Sequence, residues 1–178
     1  MAKIAVISGV QFDALPYDEG RRWELLDGEL TPVASPALQH QEIVFRLLME
    51  LKGHVADDEA IVSHDVEFAL SADTRLRPDV WLMQSPRSLR LDPSDVPIPG
   101  APDLAVEIIS PSEYAAESMR KVAVYLENGV KEVWQVYPKT REAIVYSVTG
   151  ELRRFRNDEA LTSWLLIDFE LSLLTLFS

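Results

Sequence analysis

Three residues of this chain belong to types that hydrolytic chemistry uses, and each stands where its type is conspicuous. Glu107 interrupts the apolar run Leu104-Ala105-Val106-Glu107-Ile108-Ile109. An ionised carboxylate inside such a run costs several kcal/mol unless a partner or a metal compensates it. Asp79 follows Pro78 at the head of a second run, in which Asp79, Trp81 and Met83 share one face and Val80 and Leu82 the other. If the two runs form neighbouring strands, both carboxylates converge on one side of a sheet. Two converging carboxylates with a backbone carbonyl nearby suit Mg²⁺, water filling the remaining positions. The plainer reading leaves Asp79 in a turn and pairs Glu107 with an arginine. Lys121 is the third residue. Glu117, Lys121 and Tyr125 are spaced i, i+4, i+8, with Tyr114 and Ser118 on the same helical face. Turned to solvent, that face is an ordinary charged surface with a Glu-to-Lys pair. Turned toward Glu107, the lysine could orient or activate an attacking water and stabilise charge on a phosphate.

The remaining polar candidates are weaker. His40 falls at the N-terminal end of an apolar stripe, where a histidine is more often satisfied in the core than catalytic. Glu24 and Glu29 flank the Asp27-Gly28 turn, and either suits a surface charge or a further metal ligand. Arg75, Arg77, Arg87, Arg90 and Arg120 could form a local basic rim, as could Arg153, Arg154 and Arg156. Arginines scattered on strand edges are usually just solvated. The four tryptophans, at 23, 81, 134 and 164, read as core or interface anchors. The chain has no cysteine, which removes disulfides and thiolate metal sites. It carries no Gly-x-Ser-x-Gly elbow, Walker loop, dinucleotide glycine fingerprint or zinc-spaced histidine pair.

The elements that must position these residues are legible from periodicity. Asp103 to Pro138 reads as strand, helix, strand: Glu107 near the carboxyl end of the first, where open α/β folds place their chemistry. Ser110, Pro111 and Glu113 have the pattern of an N-cap, a first helical proline and a capping box. Ala115, Met119, Val122 and Leu126 recur at helical spacing as the expected core stripe, and Gly129 is the natural stop. Upstream, Tyr17 to Val33 predicts a short helix and a hairpin at Asp27-Gly28. Ser35-Pro36 opens a helix to about Gly53 with Val44, Leu47, Leu48 and Leu51 inward. Strands are expected at Ile61–Leu70 and Arg77–Met83. Five prolines between Gln84 and Pro102 predict a long loop with a functional reason. A hairpin turns at Thr149-Gly150, and Leu161 to Phe177 closes the fold as a strand or short helix. Residues 1–16 read as an N-terminal arm or strand.

The 178 residues, 47% hydrophobic, are expected to form one domain, residues 1–178. No segment reaches membrane-spanning length, and the apolar run from Ile4 to Val10 is short for a signal peptide, so the cytoplasm is the expected compartment. The formal net charge of −12 opposes binding to a phosphate backbone unless a local basic patch offsets it.

Taken in order, WELLDGEL, SPALQH at a helix start, RPDV, PDLAVEIISPS and K-x-x-x-Y-x-x-x-G-V-x-x-V-W resemble one family from about Trp23 to the C-terminal tail. It is the putative restriction endonuclease family, abundant in cyanobacteria and other bacteria, within the PD-(D/E)XK nuclease superfamily. The resemblance implies an α/β fold of the α+β type: a restriction-endonuclease-like core, a mixed central sheet flanked by helices, and a late β-hairpin. It implies a Mg²⁺- or Mn²⁺-dependent endonuclease hydrolysing phosphodiester bonds in DNA. Asp79 and Glu107 would hold the metal with the backbone carbonyl of Ile108, and Lys121 would complete the catalytic set. The superfamily's usual lysine lies two residues after the second acid, where this chain has Ile109; in this family the lysine sits on the following helix, at the place of Lys121. Glu117 stands where an Asp is usual, and Val133-Trp134 where Tyr-Trp is usual. Glu29 and His40 match positions that the family tends to keep, and with Glu117 and Tyr125 they form a secondary set. A homodimer fits the way many nucleases of this fold cut two strands. The alternative, from another class, is an inactive nuclease-fold domain serving as a dimerisation or binding module. A lysine reaching the acids favours the nuclease; a lysine in solvent, or Glu107 locked to an arginine, favours the module.

Overall fold

The apolar runs of the sequence become two mixed sheets and a separate two-stranded pair, which share their apolar clusters with the helices. The computed structural model describes residues 6–16, 22–110 and 113–178. In chain order the elements are α1 (Gly9–Asp13), β1 (Arg22–Leu26), β2 (Glu29–Val33), α2 (Leu38–His54), β3 (Ala60–Ser63), β4 (Phe68–Ser71), β5 (Thr74–Leu76) and β6 (Val80–Gln84). There follow β7 (Ile98–Pro99), β8 (Leu104–Ile108), α3 (Ala115–Glu127), β9 (Glu132–Tyr137), β10 (Glu142–Ser147), β11 (Leu152–Arg156), β12 (Ala160–Thr162), β13 (Glu170–Ser172) and α4 (Leu173–Leu176). The central sheet has the order β11-β10-β9-β8-β6-β3, with β8–β9 parallel and the other neighbours antiparallel. A second sheet, β2-β1-β5-β4-β7, is mixed as well, its β4–β7 pair being parallel. β12 and β13 pair separately.

β8 is buried along its whole length, as a strand covered on both faces must be. Its alternate residues serve different cores. Leu104, Val106 and Ile108 pack with Val80 and Leu82 against Ile43, Val44, Leu47 and Leu51 of α2 and the C-terminal Leu171, Leu173 and Leu176. Ala105 packs on the other face with Val122 and Tyr125 of α3 and with Leu26 and Leu76 of the second sheet. Each fully buried large apolar side chain contributes on the order of 1.5–3 kcal/mol. Glu107 has the parity of Ala105, so it projects into the space that α3 and the second sheet close over.

Several local expectations change. The short helix is expected from Tyr17, but Tyr17 to Arg21 lie outside the described residues, and Arg22–Leu26 is the first strand of the expected hairpin. The hairpin at Asp27-Gly28 stands, with both turn residues at positive φ. Gly9–Asp13 is a helix within the expected arm, closed by a Ser8/Gln11 capping box that the sequence SGVQ carried. α2 begins at Leu38 rather than Ser35. The single strand expected over Ile61–Leu70 is two, in different sheets, because the chain turns at Asp65, which holds φ 51°. The proline-rich segment is not wholly loop: a 3-10 turn at Ser88–Arg90 and strand β7 interrupt it.

α3 corrects the sequence reading most. It starts at Ala115 with Tyr114 as N-cap and no side-chain cap, later than the expected start at Ser110; Pro111 and Ser112 lie outside the described residues. The Glu113 amide donates to the Ser110 carbonyl at 3.0 Å, and the Ser110 backbone N–H donates to the Glu113 carboxylate ahead of the helix. Its inward face is Ser118, Val122 and Tyr125, while Met119 is 46% exposed. Apolar spacing alone pointed to a stripe rotated from the true one, because the buried face here includes polar groups. Among the described residues no helix is long and apolar enough to cross a membrane.

Candidate active site

The register between β6 and β8 pairs Leu82 with Leu104, Trp81 with Ala105 and Val80 with Val106. One step further brings Asp79 across from Glu107, on the same face of the sheet. The Ile108 N–H donates to Asp79 Oδ2 at 2.7 Å, which ties the acid to the end of β8. Asp79 Oδ1 lies 3.0 Å from His40 Nε2, delivered from the first turn of α2. Glu107 is 6% exposed. Its Oε1 accepts the Tyr125 hydroxyl at 2.7 Å, and its Oε2 stands 3.4 Å from Lys121 Nζ. The helical spacing of Lys121 and Tyr125 places both over one carboxylate. The lysine therefore faces the acids, and Glu107's ion-pair partner is a lysine rather than an arginine.

A third carboxylate comes from the second sheet. Glu24, with the parity of Leu26 on β1, is 3% exposed and lies 2.7 Å from Lys121 Nζ. Sequence reading weighed Glu24 and Glu29 equally as the flanks of one turn and carried Glu29 into the secondary set. Strand alternation does not separate them, because the register sets Leu26 across from Glu29 and so puts both acids on one face of the hairpin. Glu29 is instead 40% exposed at its side chain and pairs with Arg120 at 2.6 Å, outside the cluster. Glu117 also stands apart: its charge bears on Glu113, which in turn lies within the field of Lys121. Gln135, opposite Glu107 on β9, was not singled out. Its Nε2 donates to the Ser118 carbonyl at 3.1 Å, while its Oε1 accepts from the Tyr137 and Tyr146 hydroxyls at 2.7 and 3.0 Å. A glutamine within the run Val133-Trp134-Gln135-Val136 was its only signal.

The electrostatics follow from crowding negative charge in a dry place. Burial raises the Asp79 carboxyl well above the ordinary range, and repulsion from Glu107 adds to it. Burial likewise raises Glu107 to about 7, against the opposing pull of Lys121. Burial alone would lower Lys121, but Glu107 and Glu24 outweigh it and hold the ammonium protonated far above neutral pH. Burial raises Tyr125, with Glu107 adding, so the phenol stays a donor. Burial lowers His40, favouring neutral imidazole.

Among the described residues no group of three or more His, Asp or Glu side chains is arranged as a ready metal cage. The donor set nonetheless suits a hard divalent cation: two adjacent carboxylates, both carrying raised proton affinity from burial and, at Asp79, from mutual repulsion. A cation there would relieve what now favours protons. The expected basic rim, by contrast, is largely spent internally. Arg75 pairs with Asp13, Arg77 with Glu67, Arg87 with Asp103, Arg120 with Asp27 and Glu29, and Arg154 with Glu142.

A mixed sheet whose central antiparallel pair carries facing acids, closed over by a helix that supplies lysine and tyrosine, defines a restriction-endonuclease-like α+β protein. The chain belongs to the Uma2 family, described as "Putative restriction endonuclease", whose family model matches residues 10–175. Its fold is similar to the crystal structure of a putative nuclease belonging to DUF820 from Anabaena variabilis ATCC 29413, with TM-score 0.82 at 22% identity over 96% of this chain and 97% of that one. No curated protein matches the chain significantly.

Proposed function

We propose that this protein is a metal-dependent endonuclease that hydrolyses phosphodiester bonds in DNA. The observation that supports the reading most is the meeting of Asp79, Glu107 and Lys121 from three separate elements at one point, the lysine reaching Glu107 from α3 rather than from β8. Asp79, Glu107 and the backbone carbonyl of Ile108 would hold Mg²⁺ or Mn²⁺. When bound, such an ion supplies Lewis acidity toward a phosphoryl oxygen and makes water more acidic. The chain's own groups do the rest. Tyr125 and the Ile108 amide orient the two carboxylates, His40 holds the outer oxygen of Asp79, and Lys121 presents a fixed positive charge to the attacking water and the developing phosphorane charge.

One observation favours the alternative, an inactive binding or dimerisation module. All four carboxylate oxygens of Asp79 and Glu107 already have protein partners, as in a closed structural network. A plasmid-cleavage assay at low salt with Mg²⁺ or Mn²⁺ separates the two, run on wild type, Glu107→Ala and Lys121→Ala beside calorimetric metal titration. Metal-dependent nicking lost in both variants is the expected result. A pure wild type that neither cuts nor binds metal would establish the module.

A further inference from the structure

The β1–β2 hairpin carries an acid into the centre from a different sheet than the one bearing Glu107. The Glu24 side chain is 4% exposed, and each carboxylate oxygen has a partner. Oε2 stands 2.7 Å from the Lys121 ammonium, closer than Glu107 Oε2 at 3.4 Å. Oε1 accepts the backbone N–H of Arg77 at 3.0 Å. Arg77 immediately precedes Pro78-Asp79, and the proline ring removes a torsion between that anchored amide and the acid. One carboxylate therefore touches both the lysine and the backbone that presents Asp79. Outside it, Arg120 pairs with Asp27 at 3.0 Å and Glu29 at 2.6 Å. The hairpin thus docks on α3 through two consecutive cations, the outer one 40% exposed at its side chain and the inner one 12%.

We propose that Glu24 is a positioning residue, a clamp that holds the Lys121 ammonium against Glu107 and the Arg77 amide ahead of Asp79, and is neither a metal ligand nor a surface charge. Its catalytic consequence rests on the nuclease reading; the clamp on Lys121 does not. To serve as a ligand, Glu24 would have to release Lys121 and leave a desolvated ammonium with one carboxylate fewer, which buried pairs strongly resist. As a surface charge it would be solvated, and it is not.

The test has two arms on the intact chain, comparing wild type, Glu24→Gln and Glu24→Ala. In the first, a water-soluble acetylating reagent labels lysines and mass spectrometry reads the rates, with exposed Lys52 as the internal reference. Lys121 should label slowly in wild type and severalfold faster in Glu24→Ala. Glu24→Gln, which keeps an acceptor for Arg77 but loses the charge, should fall between; it also stands in should the alanine variant fail to fold. Unchanged Lys121 labelling in a folded variant overturns the clamp. In the second arm, Mn²⁺-dependent cleavage and Mn²⁺ titration should show kcat reduced about 10–100-fold with KM and Mn²⁺ affinity retained. A tenfold or greater loss of Mn²⁺ affinity would make Glu24 a ligand and overturn the proposal. A wild type that neither cuts nor binds Mn²⁺ would defeat the nuclease reading, and the labelling arm would then decide the clamp by itself.

Discussion

Glu107 and Lys121 form the tightest test of the chemistry at the residue scale. Replacing Lys121 by Met keeps the buried stem and removes only the charge, so cleavage should fall about 10²–10⁴-fold, the range for losing a positioned polar catalyst. Mn²⁺ affinity should hold or rise, since a cation has left the neighbourhood of the carboxylates. Parallel rate and calorimetric measurements check both. The weakened acidity of Glu107, its pKa raised by burial to about 7, also predicts a pH dependence of stability in metal-free protein. The folded state binds that proton more tightly than the unfolded chain, so the stabilisation is fully present below about pH 4.5 and is lost as pH rises through about 7. Urea midpoints should therefore decline between pH 5 and 7.5 in wild type and decline less in Glu107→Gln. Equal slopes in the two proteins would refute this. His40 works with the opposite sign, but it is common to both proteins and cancels in the comparison.

At the scale of elements, the site depends on where α3 begins and stops. Gly129 ends the helix at φ +98°, a conformation L side chains rarely adopt, although no atom lies near its would-be Cβ. Gly129→Ala should cost about 1–2 kcal/mol through backbone strain alone, measurable as a shifted denaturation midpoint. If the variant is as stable as wild type, the turn tolerates another path and α3 is held by packing alone. Glu132, at the head of β9, shows how a buried acid can be purely architectural. It accepts from the indole N–H of Trp134 and from the amides of Trp164 at 2.9 Å and Leu165 at 3.0 Å, stitching the C-terminal segment to the central sheet. Glu107 and Glu132 are both buried acids in apolar strands, and what distinguishes them is the company each keeps.

The whole molecule carries a net charge of −12, and most of its candidate phosphate-binding arginines are committed to its own acids. Each neutralised phosphate contributes about −0.9 to the slope of log affinity against log salt. A protein that spends its arginines internally should show a shallow slope, about −3 or less steep, and weak binding to non-specific duplex even at low salt. A fluorescence-anisotropy titration of a short duplex across salt concentrations measures this. A steep slope would mean that the internal pairs open on binding and that their arginines transfer to the substrate.

Strand and helix identity around the site were legible because burial leaves strong patterns. The run at Leu104–Ile109 had to be a central strand, Gly129 had to end a helix, and Asp27-Gly28 had to turn a hairpin. Asp79 and Glu107 were legible as well, since a charge in or beside an apolar strand is conspicuous by its cost. The start of α3 and its inward face were not. Both depend on tertiary partners: the Gln135 amide donates to the Ser118 carbonyl and Glu107 accepts the Tyr125 hydroxyl, and apolar periodicity does not register a polar buried face. Lys121 was placed by the family resemblance and not by its spacing, which suits a solvated surface, and Glu24 was indistinguishable from Glu29 as the flank of a turn. What the sequence alone determined were the local periods and the residues that violate them. Only the tertiary structure decided which violations meet, because that depends on the register of β6 on β8 and on the second sheet closing over α3, pairings between residues dozens of positions apart.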